Sequence, residues 1–304
     1  MPTLDLTLAP ILQRVPQFAS ALEFAVTELT GGITNRNYKI EADGEAYVLR
    51  IGGGETRFLG IDRRVEHGCT LAASRAGVAP EPVAFLEPEG YLVTRFISGP
   101  GIPADQIGTE ANIRRVVASL KRYHVLDHFP GAFSPFRVVE DYEQTARSFH
   151  VNLPEKMAWY LETAHEIERA MYRAPFTLRP CHNDLLNANF IDDGHADLLC
   201  ILDWEYGGMG DIFFDLGNFS AQHEFAPEQE DLLLREYFGQ PAEAQRARLK
   251  LMRVMSDLRE AMWAMVQVGV SQIEFDYVGY GRKYFDRFEA AARGTGYSNW
   301  LKAA

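Results

Sequence analysis

Residues 179–220 constrain what this chain can fold into more than any other segment does. Asp184 and Asn189 follow one strand-like run, and Asp203 comes directly after a second run, 198–202, which is apolar throughout like a buried strand. Asp and Asn are common in turns, so any one of these residues by itself could be a loop cap. In this order and between these runs, the three are expected to meet at one site.

These three side chains have the chemistry that phosphoryl transfer requires. That reaction needs a carboxylate beside the attacking hydroxyl, and oxygen ligands that hold Mg²⁺ against the nucleotide phosphates. Asp184 can supply the carboxylate, and Asn189 with Asp203 can supply the ligands, since Mg²⁺ prefers oxygen donors. The interval of five residues between Asp184 and Asn189 is also that of the catalytic loop of protein kinases. The pattern therefore predicts a kinase.

The sequence around this loop resembles one enzyme family. The loop is similar to the Brenner-type phosphotransferase signature of choline and ethanolamine kinases, relatives of the aminoglycoside phosphotransferases, in HNDLLNAN followed by ILDWEYGGMGDIFFDLGN. The family's nucleotide-binding entrance resembles the upstream segment LTGGITNRNYKIEADGEAYVLRIGG. Its carboxy-terminal substrate region resembles REAMWAMVQVGVSQIEFDYVGYGRKYFDRFE. Similar segments extend over residues 29–289.

The order of the predicted elements agrees with this resemblance. Strands come first, with a helix that Asp62 can cap, and amphipathic helices follow a Gly- and Pro-containing stretch at 98–101. The resemblance implies an α+β, bilobal protein-kinase-like fold, with a small β-rich nucleotide-binding lobe at 1–97 and a larger helical catalytic and substrate-binding lobe at 98–304. The predicted strands are 24–29, 37–42, 46–51, 91–97, 176–181 and 198–202, and the predicted helices are 63–75, 110–126, 139–150, 156–173, 227–238, 242–269 and 275–293.

A glycine pair near the amino terminus is the first candidate for nucleotide binding. Gly31 and Gly32 lie between two strand-like runs, where glycine permits close backbone approach to phosphates. The resemblance implies that Thr34 and Asn35 add side-chain contacts, although a Gly pair alone is usually a hairpin turn. The chain has neither GxxxxGK[ST] nor GxGxxG, and a Walker-type NTPase is therefore disfavoured.

Arg50 and Glu66 are the candidates for an ion pair that holds phosphate. Arg50 in YVLRI stands where protein kinases carry the lysine of their third strand, and choline kinases resemble this sequence in using Arg there. Glu66, in the following helix, is the expected partner, and a surface pair worth at most about 1 kcal/mol is the alternative. The stretch 94–97, which includes Phe96, is expected to offer backbone groups to adenine, although it can equally be a plain strand end.

Two polar residues are expected to support the catalytic loop without reacting themselves. His182, two residues before Asp184, can brace the loop through backbone hydrogen bonds. Asp215, with Asn218, can tie the start of a helix to the same loop, or it can be an ordinary N-cap. The other histidines form no metal-ligand motif such as HExxH.

Two helical stripes near the carboxy terminus are the candidates for substrate binding. Asp257, Glu260 and Trp263 recur at three-residue intervals, and Tyr277, Tyr280 and Tyr284 recur at intervals of three and four. The resemblance matches Trp263 and Tyr280 to aromatic positions of the choline pocket. Such stripes are more often core, but aromatic faces also attract an ammonium group by about 0.5–2 kcal/mol per contact. Glu260 stands where eukaryotic choline kinases have another aromatic, and a carboxylate there can favour a primary ammonium such as that of ethanolamine.

The net charge and the cysteine content restrict which binding partners and which cellular compartment can be expected. The formal net charge of −12 and the pI of 5.2 disfavour a nucleic-acid partner and are compatible with a cationic substrate. Cys69, Cys181 and Cys200 form neither a disulfide framework nor a zinc-binding pair. The amino terminus lacks a secretory pattern, and the longest apolar stretch, 261–270, is too short to span a bilayer. A cytoplasmic protein is expected.

These features together predict ATP-dependent phosphorylation of the hydroxyl of choline or ethanolamine, a small cationic amino alcohol, with Mg²⁺. A related phosphotransferase acting on an aminoglycoside, thiamine or a sugar is the first alternative, because the superfamily shares its phosphate machinery while substrate pockets diverge. A catalytically silent nucleotide-binding regulator is the alternative of another class. Retention of Asp184, Asn189 and Asp203 disfavours it.

Overall fold

The computed structural model describes residues 8–19, 21, 24–29, 35–53 and 55–304, in which a strand-rich part precedes a helical part. The strands are β1 Phe24–Leu29, β2 Asn35–Ala42, β3 Glu45–Gly52, β4 Pro82–Leu86, β5 Tyr91–Arg95, β6 Arg179–Cys181, β7 Phe190–Ile191, β8 Cys200–Ile201 and β9 Gly208–Gly210. The helices are α1 Ala9–Leu12, α2 Pro16–Ala19, α3 Arg63–Arg75, α4 Glu110–His124, α5 Pro135–Ser148, α6 Met157–Met171, α7 Ile212–Gln222, α8 Pro227–Phe238, α9 Glu243–Val270, α10 Tyr277–Ala292 and α11 Tyr297–Ala303. Short 3₁₀ turns cover Thr56–Leu59 and Asn187–Asn189.

Strands β1 to β5 form an antiparallel sheet in the order β1-β2-β3-β5-β4. Successive residues of a strand point to opposite faces, and in β2 the buried residues Tyr38, Ile40 and Ala42 follow that period. Helices α1 and α2 cover this face, where the ring of Phe18 lies 5.3 Å from that of Tyr47. The sheet therefore has a hydrophobic cluster of its own.

Helix α3 connects the sheet to the helical part. Its N-cap is Asp62, as predicted, because the carboxylate accepts hydrogen bonds from the N–H groups of Arg64 and Val65. Cys69, on the inner side of the helix, belongs to the large hydrophobic cluster of the helical part. The same helix carries Glu66, which is almost completely buried. An acidic side chain is thereby held between the sheet and the helices.

Helix α9 lies at the centre of the helical part and packs against α7 and α10. Gly217 lets α7 approach it closely, since a Cβ at this position would lie 2.7 Å from backbone atoms of Met252 and Arg253. This close crossing fixes the side chains of α7 relative to those of α9. In the part of the chain that the structure describes, no helix, α9 included, is both long and apolar enough to cross a bilayer.

Most of the predicted elements are confirmed to within a few residues, and the exceptions are specific. The predicted strands 176–181 and 198–202 are shorter, because β6 begins only at Arg179 and β8 has two residues. The helix predicted from residue 139 begins earlier, since Ser134 caps α5 and its first residue is a proline, which suits a first turn. The sequence patterns above did not predict α1, α2, β4, β7, β9 or α11, and they indicated only the start of α7.

Candidate active site

The loop after β6 and the end of β8 bring Asp184, Asn189 and Asp203 to one region. Asn189 donates a hydrogen bond from Nδ2 to the main-chain oxygen of Asp184 at 2.9 Å. The main-chain oxygen of Asn189 accepts from the N–H of Leu202, which directly precedes Asp203, at 2.8 Å. Asn183 and Asp203 have φ values of 69° and 61°, a conformation that Asn and Asp tolerate better than most residues. The backbone of the site is thus built from residue types that suit it.

A cavity of about 390 Å³ lies between the sheet and this loop. Small-molecule and cofactor sites usually occupy about 300–1,000 Å³. Its lining includes Asn37, Val48, Arg50 and Phe96 on the side of the sheet, and Asn189 and Asp203 on the side of the loop. The expected metal ligands and the expected phosphate-binding arginine therefore share one cavity.

The strand end at 94–97 is less available to a nucleotide than expected. The N–H groups of Arg95 and Phe96 donate to the main-chain oxygens of Glu81 and Ala46 at 2.8 and 2.9 Å. These two groups are engaged within the sheet, so they are not donors for an adenine ring. Phe96 still lines the cavity, and its ring packs beside the Lys39 ammonium at 4.9 Å.

Arg50 is the centre of a buried ion-pair network. Its guanidinium pairs with the carboxylates of Glu66 and Asp203. The Arg50 and Glu66 side chains are only 12% and 2% exposed, so the alternative of a surface pair is wrong. Arg63 lies 2.6 Å from Glu66 and 3.1 Å from Glu205, which ties the Arg50 pair to the segment after β8.

The Glu205 carboxylate also connects this network to the start of β2. Asn35 donates from Nδ2 to Glu205 at 2.9 Å and accepts from Arg63 at 2.8 Å. Asn35 was expected to contact phosphate, and the structure shows that both ends of its amide have protein partners. Gly31, Gly32 and Thr34, the rest of that predicted phosphate turn, lie outside the described residues.

The donor atoms near Asp203 suit Mg²⁺. Because Asn189 uses Nδ2 to bond Asp184, its Oδ1 is the atom that remains for an ion. Arg50 contacts Oδ1 of Asp203, and Oδ2 of that carboxylate is the second ligand candidate. An amide oxygen and a carboxylate oxygen beside a cavity are the hard donors that Mg²⁺ prefers, with room left for waters and phosphates.

Asp184 is largely buried, and its environment makes it unusually basic. Its side chain is 15% exposed, and Nη1 of Arg259 lies 3.2 Å from its Oδ1. Burial raises the pKa of Asp184 to about 7, against the influence of Arg259, while the carboxylates of Glu260 and Asp203 add to the rise. A carboxylate whose pKa is near neutrality is a better proton acceptor than an ordinary aspartate.

His182 braces the loop against the end of β8. Its Nδ1 accepts a hydrogen bond from the N–H of Asp184 at 3.2 Å, so Nε2 carries the proton and donates to the main-chain oxygen of Leu202 at 2.8 Å. Burial lowers the pKa of His182, which keeps the ring neutral. A protonated ring could not accept the Asp184 hydrogen bond.

Acidification is expected to destabilise the protein partly through His182. A histidine in the unfolded chain has a pKa of about 6.5, and burial lowers the pKa of His182 in the folded state. The unfolded state therefore binds the proton first, and stability present above pH 6.5 is lost as the pH falls below it. When the pH falls from 7.5 to 5.5, the free energy of unfolding should decrease in both proteins. The decrease should be smaller in the His182→Gln variant than in the wild type, by up to about 1.4 kcal/mol. Urea denaturation at both pH values measures this, and equal losses would contradict it.

Asp215, inside α7, ties that helix to the catalytic loop. Its two carboxylate oxygens accept from the N–H groups of His182 and Asn183 at 2.9 and 2.6 Å. The carboxylate also accepts from the Tyr123 hydroxyl at 2.6 Å and lies 2.9 Å from Nε2 of His124. The alternative that Asp215 is an N-cap is wrong, because Asp211, the residue directly before α7, caps this helix with its side chain.

His124, Cys181 and Asp215 bring potential metal-ligand atoms within 4.8 Å of one another. The hydrogen bonds just described already occupy the Asp215 carboxylate. We therefore interpret the cluster as a set of hydrogen bonds that supports the loop, and not as a metal site. Burial by itself would raise the pKa of Asp215, but the hydrogen bond and charge of His124 and the Tyr123 hydrogen bond outweigh it and lower that pKa. Asp215 is therefore held as a carboxylate.

Helices α9 and α10 bring together three of the four expected substrate residues. The Tyr280 hydroxyl donates to Oε2 of Glu260 at 3.0 Å, and the ring of Trp263 lies 5.9 Å from that of Tyr280. Asp257 stands apart, 2.9 Å from Nη2 of Arg287. Burial raises the pKa of Asp257 to about 7, and Arg287 opposes the rise. Both carboxylates are almost completely buried, and each already has an arginine beside it.

Three charged residues of the site were missed by the sequence patterns, namely Arg63, Glu205 and Arg259. Each acts through a partner that is distant in sequence, such as Arg259 with Asp184 and Arg63 with Glu205. One signal for Arg259 was present, since the residues one helical turn away on its face of α9, Met255, Met262 and Trp263, are apolar. Arginine is almost never fully buried unless it is paired.

Comparisons with known proteins agree with this geometry. A choline/ethanolamine kinase family protein of Mesorhizobium loti has a solved structure that is 29% identical, covers 97% of this chain and 96% of that one, and superimposes with a TM-score of 0.83. The protein LicA of Haemophilus influenzae is 27% identical over 251 residues, which are 78% of this chain and 72% of LicA. A probable ethanolamine kinase A of Dictyostelium discoideum is 23% identical over 311 residues, covering 90% of this chain and 88% of that protein.

The structural likeness confirms the predicted protein-kinase-like fold, with a β-sheet region followed by a helical region. The named kinases among the relatives confirm the predicted resemblance to choline and ethanolamine kinases. They also agree with the predicted class of enzyme, a phosphotransferase. A family model described as the phosphotransferase enzyme family matches residues 25–251, most of the chain, and this protein therefore belongs to that family.

Proposed function

We propose that this protein is an ATP-dependent kinase that transfers a phosphoryl group to the hydroxyl of choline or ethanolamine. The observation that carries the proposal is the cluster of Asp184, Asn189 and Asp203, the last two of which line a cavity together with Arg50. The relatives named as choline or ethanolamine kinases support the class of substrate.

Asp184 acts on the substrate hydroxyl. Its carboxylate, which has a pKa of about 7, orients the hydroxyl and takes its proton. Meanwhile the bond from the substrate oxygen to the γ-phosphorus forms, and the bond from that phosphorus to the ADP oxygen breaks. His182 keeps the Asp184 backbone in place through the hydrogen bond to its N–H.

Arg50 acts on the nucleotide phosphates. Glu66 and Asp203 hold its guanidinium at the cavity wall, where its planar fork can meet phosphate oxygens. Asn189 and Asp203 are the proposed ligands of Mg²⁺, which when bound neutralises charge on the phosphates. Gly31, Gly32 and Thr34, which lie outside the described residues, are proposed to add further phosphate contacts.

Trp263 and Tyr280 act on the ammonium end of the substrate. Their rings lie 5.9 Å apart on neighbouring helices, and aromatic faces attract an ammonium by about 0.5–2 kcal/mol per contact. Glu260 lies beside Tyr280 at this end but is already paired with Arg259, and Asp257 stands apart beside Arg287. A neutral alcohol of the same size lacks this cation–π attraction, so contacts with these rings favour a cation.

A coupled assay of ADP release with choline, ethanolamine, thiamine and an aminoglycoside tests the proposal. Turnover is expected with choline or ethanolamine and to depend on Mg²⁺. Turnover with thiamine or the aminoglycoside alone would support the related phosphotransferase instead. If none of these compounds is phosphorylated while the protein still binds ATP, a silent nucleotide-binding protein would be the better description.

Replacing Asp203 by Asn is expected to raise the Mg²⁺ concentration for half-maximal activity at least about tenfold, because a charged ligand becomes neutral. Asparagine tolerates the φ of 61° at this position, so the backbone should not change. Titration of Mg²⁺ at saturating ATP measures the effect. The matched control is Asp192→Asn, which alters a carboxylate paired with Arg115 outside the cavity lining. An unchanged Mg²⁺ requirement in Asp203→Asn would argue against this ligand.

We also propose that the reaction takes place in the cytoplasm, where ATP is available. Cys69, Cys181 and Cys200 are buried free thiols, which fits a reducing compartment. Burial raises the pKa of the Cys69 and Cys200 thiols to about 12, so they are unreactive at neutral pH.

A further inference from the structure

Arg259 is a buried cation that touches both the proposed base and the proposed substrate pocket. Its side chain is 2% exposed, and its Nη1 lies 3.2 Å from Oδ1 of Asp184. The same nitrogen pairs with Oε1 of Glu260. One guanidinium therefore holds two carboxylates that belong to different parts of the site, since Asp184 comes from the catalytic loop and Glu260 from α9.

The chain of contacts continues to the aromatic residues. Oε2 of Glu260 accepts from the Tyr280 hydroxyl at 3.0 Å, and the Tyr280 ring lies 5.9 Å from that of Trp263. Asp184, Arg259, Glu260 and Tyr280 thus form a continuous line of polar contacts. In the proposed reaction this line runs from the hydroxyl end of the amino alcohol to its ammonium end.

The guanidinium of Arg259 also packs on Tyr206, in the segment between β8 and β9. Its guanidinium carbon lies 4.2 Å from the centre of the Tyr206 ring, a distance at which the cation is attracted by the ring face. The main-chain oxygen of Tyr206 accepts from Nδ2 of Asn183 at 2.9 Å. Tyr206 therefore packs its ring on the Arg259 guanidinium, while its main chain is tied to Asn183, the residue before Asp184.

The charge of Arg259 is maintained despite burial. Burial by itself lowers the pKa of this residue, but the Glu260 and Asp184 carboxylates outweigh it and raise that pKa well above the ordinary value of an arginine. Removing one partner of a buried ion pair usually costs about 3–5 kcal/mol, because the other charge is left without compensation. A test must therefore separate the effect on folding from the effect on the reaction.

We propose that Arg259 is a positioning residue for phosphoryl transfer, which sets the direction of the Asp184 carboxylate relative to a substrate bound against Glu260 and Tyr280. This inference rests on the proposed function. The competing account is that Arg259 only neutralises Glu260 and so keeps α9 stable. The two accounts differ in what happens once Glu260 carries no charge.

The test compares Glu260→Gln with the double variant Arg259→Met/Glu260→Gln. The double variant removes Arg259 together with the charge of Glu260, so only Asp184, whose side chain is 15% exposed, loses a charged partner, and a cooperative thermal transition shows whether the variant folds. If Arg259 positions Asp184, adding Arg259→Met should lower kcat by about 100-fold, since misplacement of a reacting group by about 1 Å has that effect. The KM for ATP should stay within about threefold, because the nucleotide contacts do not involve α9.

A double variant whose kcat is within about threefold of Glu260→Gln would overturn the inference. If the double variant does not fold, Arg259→Lys in the wild-type background decides, because it keeps the charge but replaces the planar guanidinium by a compact ammonium on a flexible stem. A fall in kcat with an unchanged KM for ATP then supports positioning, and an unchanged kcat overturns it. If the wild-type protein phosphorylates no amino alcohol, the proposed function itself is refuted. That result differs from equal kcat values in active Glu260→Gln and Arg259→Met/Glu260→Gln variants, which would overturn only the role of Arg259.

Discussion

Replacing Asp184 by Asn is expected to lower kcat by about 10²–10⁴-fold, because an amide cannot take the proton of the substrate hydroxyl. The two side chains have nearly the same shape, and the amide oxygen can still accept from Arg259, which lies 3.2 Å from the carboxylate. The KM for ATP should therefore change by less than about threefold. Steady-state ADP release with saturating ATP and the better of choline and ethanolamine measures both constants.

Asp193→Asn is the matched control for this substitution. Asp193 is an exposed aspartate of the turn after β7, and its side chain accepts from the N–H of His195 at 3.0 Å, a bond that an amide oxygen can also make. Its kcat should stay within about twofold of the wild type. If Asp184→Asn reacted as fast as this control, Asp184 would not be the base. Loss of activity with nucleotide binding retained would instead exclude the silent regulator.

The fold could be predicted largely because capping residues and apolar periodicity mark where helices begin and end. Asp62 before α3 and the long apolar period of α9 are local signals, and both elements were predicted to within a residue or two. Strand β4 was missed because it begins with a proline, Pro82, which disfavours a central strand. The sheet order explains the exception, since β4 lies at an edge, where proline is tolerated.

The candidate site was predictable where its residues lie close together in the sequence. Asp184 and Asn189 share one loop, and Asp203 follows the next strand, so spacing alone indicated that they meet. The contact of Arg259 with Asp184 spans 75 positions, and that of Arg63 with Glu205 spans 142. No local period specifies such pairs, because they depend on how α9 and α3 pack against the catalytic loop.

The same limit applies to the interpretation of Glu260. From the sequence, a carboxylate in place of an aromatic residue suggested a direct partner for a primary ammonium. The structure shows that Arg259 and Tyr280 already contact its two oxygens. In the proposed substrate pocket the carboxylate would therefore act through these neighbours, and we expect the choice between choline and ethanolamine to depend on the whole line of contacts, not on one charge.

Replacing Asp215 by Ala is expected to lower the free energy of unfolding by about 3–5 kcal/mol and to lower kcat as well. The substitution leaves the N–H groups of His182 and Asn183, the Tyr123 hydroxyl and the His124 ring without their acceptor in the interior. Each buried donor left without a partner costs about 1–3 kcal/mol, although the costs do not simply add. The catalytic loop also loses its attachment to α7, so Asp184 is held less firmly. Urea denaturation followed by circular dichroism measures the stability.

The control for this prediction is Asp231→Ala, which removes a carboxylate of α8 that pairs with Arg235 and Arg246 at the surface. Such exposed pairs contribute at most about 1 kcal/mol, so the control should unfold almost like the wild type. Asp215→Asn should fall between the two, because the amide keeps one acceptor but presents its own N–H groups to donors. If Asp215→Ala were as stable as the control, the hydrogen bonds to His182 and Asn183 would not hold the loop, and the rigidity of the site would need another source.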